Sequence, residues 1–252
     1  MIDMPSLGSH MVRAYTLAEK LSLPEINVDR NSFYLGSTAP DIRVITKGDR
    51  AETHFYTLED LHDQDSVAVM LDRYPQLKKT PDREKKVVAF IAGYITHLVL
   101  DTAWIEEIYR PTFGVYSSIN DDPKSNILDR VLQYELDMRD RSDLDAIKAV
   151  HLTINIEQSP PSIPFIKNEY LIRWFDMMND VIQQKPDYSG FKRMLSRHLK
   201  NAGYDEASID SFSTNPQTII EEAFGVVTNE RLSHFWQKAE QEMFDQVRHY
   251  LR

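Results

Sequence analysis

The chain has 252 residues, no cysteine and a formal net charge of −10. Disulfides and thiolate metal sites are therefore excluded, and any metal must sit on His, Asp, Glu or backbone groups. The acidic balance disfavours broad binding to nucleic-acid phosphates and a purely electrostatic hold on anionic membranes.

The first segment, MIDMPSLGSHMVRAYTLAEKL, lacks the basic start and apolar centre of a secretory signal. The longest apolar run falls short of the about 20 residues that a bilayer span takes. The expectation is a soluble, cytoplasmic protein with no transmembrane segment. GSHM at 8–11 matches a common expression-tag remnant, but chain precedes it and VRAYTLAEKL continues it as an amphipathic helix. The pattern predicts a helix over 9–22 and a second, short one within LPEINVDRNSFYLG, ended by Gly36. STAPD reads as a loop, because Pro40 disfavours helix in the residue before it. Thr57 reads as the N-cap of a helix reaching Tyr74. Thr80-Pro81-Asp82 combines a cap, a proline and an acid, and starts a helix that Pro111 stops, roughly 29 residues or about 43 Å long. Further helices are predicted at 125–139, 142–151, 165–184, 188–201, 206–212, 216–224 and from 228 to the end, with a break at 156–164. Only DIRVITK and FGVY have strand character. The expected fold class is all-α: a multi-helix bundle forming one domain, with a metal-binding core over about 5–140 and a helical extension over about 141–252.

Within the long helix, VVAFIAGYITHLVL is apolar all round and must be buried. Yet His97 and Asp101 stand one turn apart and point into the same buried space. An unpaired carboxylate there is costly. The pair is a hydrogen-bonded core pair, a metal-free catalytic pair, or two ligands of one cation. Gly93, one turn earlier, would let another segment come close. Three other residues bear on the choice: His10 in the first helix, Asp41 in STAPD and His54 in THFYTLED. Each alone has a plain structural role, at the surface, after a proline, or at a helix entry. Their order with HxxxD is what favours a metal.

In that order, His10, LGSTAPDI, THF and GYITHLVLD resemble the zinc-dependent phospholipase C family, and most of all its intracellular bacterial branch, over about residues 5–140. The resemblance implies an all-α fold and a metal-activated water acting on a phosphodiester. It implies zinc ligands at Asp41, His54, His97 and Asp101, with Asp101 bridging two metals and His10 on a neighbouring one. Imidazole and carboxylate also suit iron or manganese. One firm metal site is expected, with a possible second. Asp41 is the only matched candidate for the catalytic base, so it is ligand or base.

The chain departs from the family in two places. Secreted members ligate metal through an N-terminal tryptophan amine, whereas this chain has Met1 in an unremarkable leader. Where the family has a histidine six residues after the HxxxD aspartate and then an HxxxE pair, this chain has Glu107 and no histidine between 98 and 150. Glu107, with Asp129, is a candidate replacement ligand or an ordinary charged helix residue. The expected substrate is a small-molecule or lipid phosphoester.

Two alternatives compete. One is a non-catalytic scaffold with a structural metal. The other is an HD-type or nucleotide phosphohydrolase, suggested by His62-Asp63, although Asp60 and Asp65 around that doublet point to a solvated helix face. In the last helix, Leu232, Phe235, Trp236, Met243, Phe244, Val247 and Tyr250 recur at helical spacing. They form an internal packing surface or, on a sharper view, a homodimer interface or a lid. His198, His234 and His249 are taken as structural.

Overall fold

The computed structural model describes residues 7–119, 122, 124–154, 159–185, 187 and 189–252. Its regular structure is helical, and among the described residues the only β-type pairing is an isolated contact between Ile163 and Ile166. In chain order the helices are α1 (Leu7–Leu21), α2 (Pro24–Asn27), α3 (Arg30–Thr38), α4 (Arg43–Thr46), α5 (Arg50–His54), α6 (Ser66–Arg73), α7 (Lys85–Ala103), α8 (Arg110–Thr112), α9 (Ser125–Arg141), α10 (Leu144–Thr153), α11 (Asn168–Gln183), α12 (Ser189–Asn201), α13 (Glu206–Thr214), α14 (Pro216–Val226) and α15 (Asn229–Tyr250). The all-α expectation holds. DIRVITK, expected as possible strand, is instead a 3₁₀ turn (Ala39–Ile42) running into α4.

α7 is the axis of the molecule. Every residue from Val87 to Asp101 is buried, as its all-round apolar sequence requires. α3 and α15 flank it lengthwise, and α1, α2 and α6 add further contacts. Helical backbone continues from Lys85 to Thr112, 28 residues that could cross a membrane by length and composition alone, but 94% of its most apolar window is buried inside the protein. Between α7 and α8 the ladder widens into a π turn over Trp104–Tyr109, where the Arg110 N–H donates to the Ile105 carbonyl. A single wide turn of this kind commonly marks a local adjustment inside a helix. Here it lies just before Pro111, which has no N–H to give.

Two glycines set the spacing of α3 and α7. A Cβ on Gly93 would collide with the backbone carbonyl of Phe33, and a Cβ on Gly36 with that of Phe90. Gly93 thus admits a neighbouring segment, as expected. Gly36 does not end its helix. It sits within α3, which runs on to Thr38, and its missing side chain serves the contact between helices rather than a helix end.

Other boundaries also moved. Thr57 caps nothing: residues 57–65 form a loop in which the Gln64 amide donates to the Thr57 and Asp60 carbonyls and accepts from the Thr57 N–H. Asp65 outcompeted it as the N-cap, accepting from the Ala68 N–H at 2.9 Å. Thr80-Pro81-Asp82 forms a turn closed by the Arg83 N–H on the Thr80 carbonyl, and α7 begins at Lys85. The letters GSHM are an integral turn of α1, where the Ser9 N–H donates to Asp137 of α9 and Met11 is fully buried. On α15, Leu232, Phe235, Met243, Val247 and Tyr250 are buried within the chain, while Trp236 and Phe244 are half-buried and packed against that core. The Arg13 guanidinium covers the Trp236 ring at 3.8 Å.

Candidate metal centre

Separate segments converge on the polar pair inside α7. His10 comes from α1, Asp41 from the 3₁₀ turn after α3, and His54 is the last residue of α5. The local sequence fixes α5 at both ends. Asp49 caps its start by accepting from the Ala51 N–H. Phe55 ends it in the left-handed region at φ 54°, with its N–H on the Ala51 carbonyl. A non-glycine residue pays about 1–2 kcal/mol for that conformation. The Phe55 ring offsets this by packing buried among Tyr74, Tyr94 and Phe165.

The donor atoms fall into two groups that share one residue: His10, Asp41 and His97, and His54, His97 and Asp101, each within 4.8 Å. The His10 and His97 rings are stacked at 3.7 Å, and His54 meets His97 edge-on. His54 Nε2 lies 3.5 Å from Asp41 Oδ1 and 4.0 Å from Asp101 Oδ1. His10, His54, His97 and Asp101 are each at most 2% exposed, whereas the Asp41 side chain keeps 14%. The site therefore opens toward Asp41.

Hydrogen bonds fix the tautomers. His97 Nδ1 donates to the Ser37 carbonyl at 2.9 Å, which leaves Nε2 as a bare lone pair. The Thr53 hydroxyl donates to the Arg50 carbonyl and so accepts from His54 Nδ1, leaving His54 Nε2 bare as well. The two Nε2 atoms face each other at 3.4 Å. Two lone pairs at that separation make no hydrogen bond. Two imidazole nitrogens on one tetrahedral zinc, each at about 2.0–2.1 Å, stand about 3.3–3.4 Å apart. Asp101 Oδ1 and His10 Nε2 are also buried with no hydrogen-bond partner. Two bare imidazole nitrogens and a partnerless carboxylate oxygen within the group of His54, His97 and Asp101 are what a cation resolves, so these residues fit a metal ion.

Burial keeps the imidazoles neutral. Desolvation lowers the His10 pKa from 6.5 to about 4, against the pull of Asp41. Desolvation likewise lowers His54 to about 3, with Asp101 opposing and the charges of Arg50 and Arg43 adding to it. His97 is also pushed well down by burial and by its histidine neighbours. Neutral imidazole is the form that ligates a metal.

The five candidates His10, Asp41, His54, His97 and Asp101 are thus brought together, and Glu107 and Asp129 lie outside both groups. Glu107 pairs with Lys238 of α15. Asp129 is buried on α9, where it accepts from Trp104 Nε1 at 3.1 Å and from Gln133 Nε2 at 2.7 Å, and burial raises its pKa. His62 is exposed in the 57–65 loop, and among the described residues His62-Asp63 joins no group of possible ligands.

The residues around the candidate ligands carry no motif of their own. Ser37 and Thr53 orient the two imidazoles. Arg50, one helical turn before His54, pairs through Nη2 with Asp101 Oδ2. The signal available was position: Arg43 and Arg50 both fall between Asp41 and His54 in the sequence. Residues 7–107, which contain all five convergent donors, match the family model described as zinc dependent phospholipase C. No curated protein and no solved structure matches the chain.

Proposed function

We propose that this chain, which carries the zinc dependent phospholipase C family over residues 7–107, is a metal-dependent hydrolase of phosphoric esters acting on a phosphodiester of a lipid or small molecule. The observation that carries this is the pair of bare Nε2 atoms of His54 and His97, 3.4 Å apart and ringed by Asp41, Asp101 and His10. His54, His97 and Asp101 would hold the ion, with Asp41 on its open side and His10 beside His97. Zinc, when bound, supplies Lewis acidity toward a phosphoryl oxygen and lowers the pKa of water to about 7.

The chain's own groups do the rest. Ser37 and Thr53 keep the lone pairs of His97 and His54 aimed inward. The buried walls exclude bulk water, which strengthens every charge inside. Asp41, at the rim, takes the proton that the attacking water releases. The water oxygen bonds to phosphorus, the bond from phosphorus to the leaving oxygen breaks, and the proton passes from Asp41 to that oxygen. A second function, a purely structural metal, is favoured by one observation: four of the five donors are almost fully buried, and closed sites are usually structural.

Elemental analysis of tag-free protein after gel filtration, paired with an assay on bis(p-nitrophenyl) phosphate, tests the proposal. The expected result is bound zinc and a hydrolysis rate that chelation abolishes and zinc restores. Tightly held zinc without hydrolysis across a phosphodiester and phospholipid panel would establish the structural metal. A folded protein with no zinc, iron or manganese, and none regained on incubation, would sink both.

A further inference from the structure

The site contains a cation already. Arg50 is 8% exposed. Its Nη2 donates to Asp101 Oδ2, while its Nη1 is buried with no acceptor. A guanidinium present only to neutralise Asp101 would have its remaining donors satisfied, as buried polar groups nearly always are. An unpaired N–H of a buried arginine is a prepared place for an oxyanion, which guanidinium binds well. The Arg50 side chain keeps 9% exposure against 2% for Asp101, so it lies toward solvent from the acid it holds. Arg43 is a second buried guanidinium, close enough for its charge to be felt at His54.

The ligand chemistry limits how many ions fit. The two donor groups share His97. That residue has one free nitrogen, because Nδ1 is committed to Ser37. Both groups therefore cannot be filled at once by separate ions. Asp101 is not placed to bridge two ions either: its Oδ2 pairs with Arg50, its Oδ1 lies 4.0 Å from His54 Nε2, and it belongs to only one of the two groups.

We infer that Arg50 is the oxyanion-binding residue of this site: one metal ion sits on the histidines and Asp101 Oδ1, and Arg50 Nη1 takes the place of a second ion in gripping a phosphoryl oxygen. This rests on the function proposed above and deepens it. It fixes the metal count at one and explains why the chain does without the later histidines of the family pattern. With the histidines neutral, the charges of Asp41 and Asp101 balance those of Arg43 and Arg50, so a divalent ion leaves the site at a net charge of about +2. That suits an anionic phosphoryl group.

The test uses full-length protein loaded with zinc and freed of excess by gel filtration, compared with Arg50→Gln and with Arg50→Lys, which keeps the charge and is the gentler change for Asp101. Zinc per chain is measured by elemental analysis, folding by circular dichroism, and affinity for inorganic phosphate by titration calorimetry. The parent should hold one zinc and bind phosphate. Both variants should keep the zinc, with phosphate affinity lowered about 10- to 100-fold in Arg50→Gln and less in Arg50→Lys. Two zinc ions in the parent, no phosphate binding by the loaded parent, or unchanged phosphate affinity in the variants would overturn the role of Arg50 while leaving a metal site standing. A parent that takes up no zinc would instead remove the metal-dependent function itself, and this inference with it.

Discussion

α7 and α15 lie side by side and are of similar length, 19 and 22 residues. α15 buries one stripe, Leu232, Phe235, Ala239, Met243, Val247 and Tyr250, and turns charged residues outward. Hydrophobic packing accounts for that stripe. Most of the apolar face that suggested a dimer or a lid packs inside the chain, with Trp236 and Phe244 half-buried at its edge. α7 is buried on every side and still carries His97 and Asp101. Burial alone would have placed apolar residues there, because each unpaired polar group costs free energy. The contrast separates residues that packing explains from residues placed against it, and the second kind marks the candidate site.

Substitutions can break that contrast. The largest effect is expected from Gly93→Val, whose side chain must occupy the space of the Phe33 carbonyl. Backbone cannot yield cheaply, so the loss should exceed about 4 kcal/mol in urea denaturation. Near-native stability would mean that α3 and α7 are not interlocked as described. Phe235→Ala on α15 should cost about 3–4 kcal/mol and leave zinc content and phosphate binding untouched. If zinc is lost with the protein still folded, α15 is not the purely structural member of the pair.

His97→Ala should show the opposite profile. Metal content should fall close to zero, and the metal-linked part of stability, about 3 kcal/mol at zinc a few hundred-fold above its dissociation constant, should vanish. Chelator should then lower the melting temperature of the parent and leave that of the variant where it is. Equal responses of the two proteins would return His97 and Asp101 to a plain core pair.

The smallest effect is a slope. His10 and His54 take up protons in the folded chain only near about 4 and about 3, against an ordinary value of 6.5. Between these limits the unfolded chain binds more protons, so their contribution to stability is complete above pH 6.5 and is lost as pH falls. Metal-free protein should lose about 1.4 kcal/mol per pH unit for each such histidine between roughly pH 6 and 4. His54→Gln should reduce that slope by one proton, as measured by denaturation at stepped pH. An unchanged slope would show that His54 is protonated in the native state.

The helical class was legible because period and apolar runs are local properties of sequence. The convergent donors were legible because their order along the chain carries the motif, although each alone is weak. What failed was anything decided between segments. Gly36 reads as a helix end when its neighbours are only those in sequence, but its role is set by Phe90 on another helix. Thr57 and Asp65 are both good caps, and the side chain of Gln64 decided between them. Glu107 fits a ligand by spacing, yet the turn there faces Lys238 of α15, far along the chain. Arg50 was invisible because its significance lies in an N–H left over once Asp101 has been served.

The interlocked glycines have one more consequence. Ser37, whose carbonyl fixes the His97 tautomer, follows Gly36 directly, and His97 lies one turn beyond Gly93. The steric lock that spaces the two helices therefore also aims the bare nitrogen of His97. Backbone contacts, rather than an ion, assemble this receptacle, so metal-free protein should take up zinc without refolding, and an unchanged far-UV circular dichroism spectrum during uptake would check it.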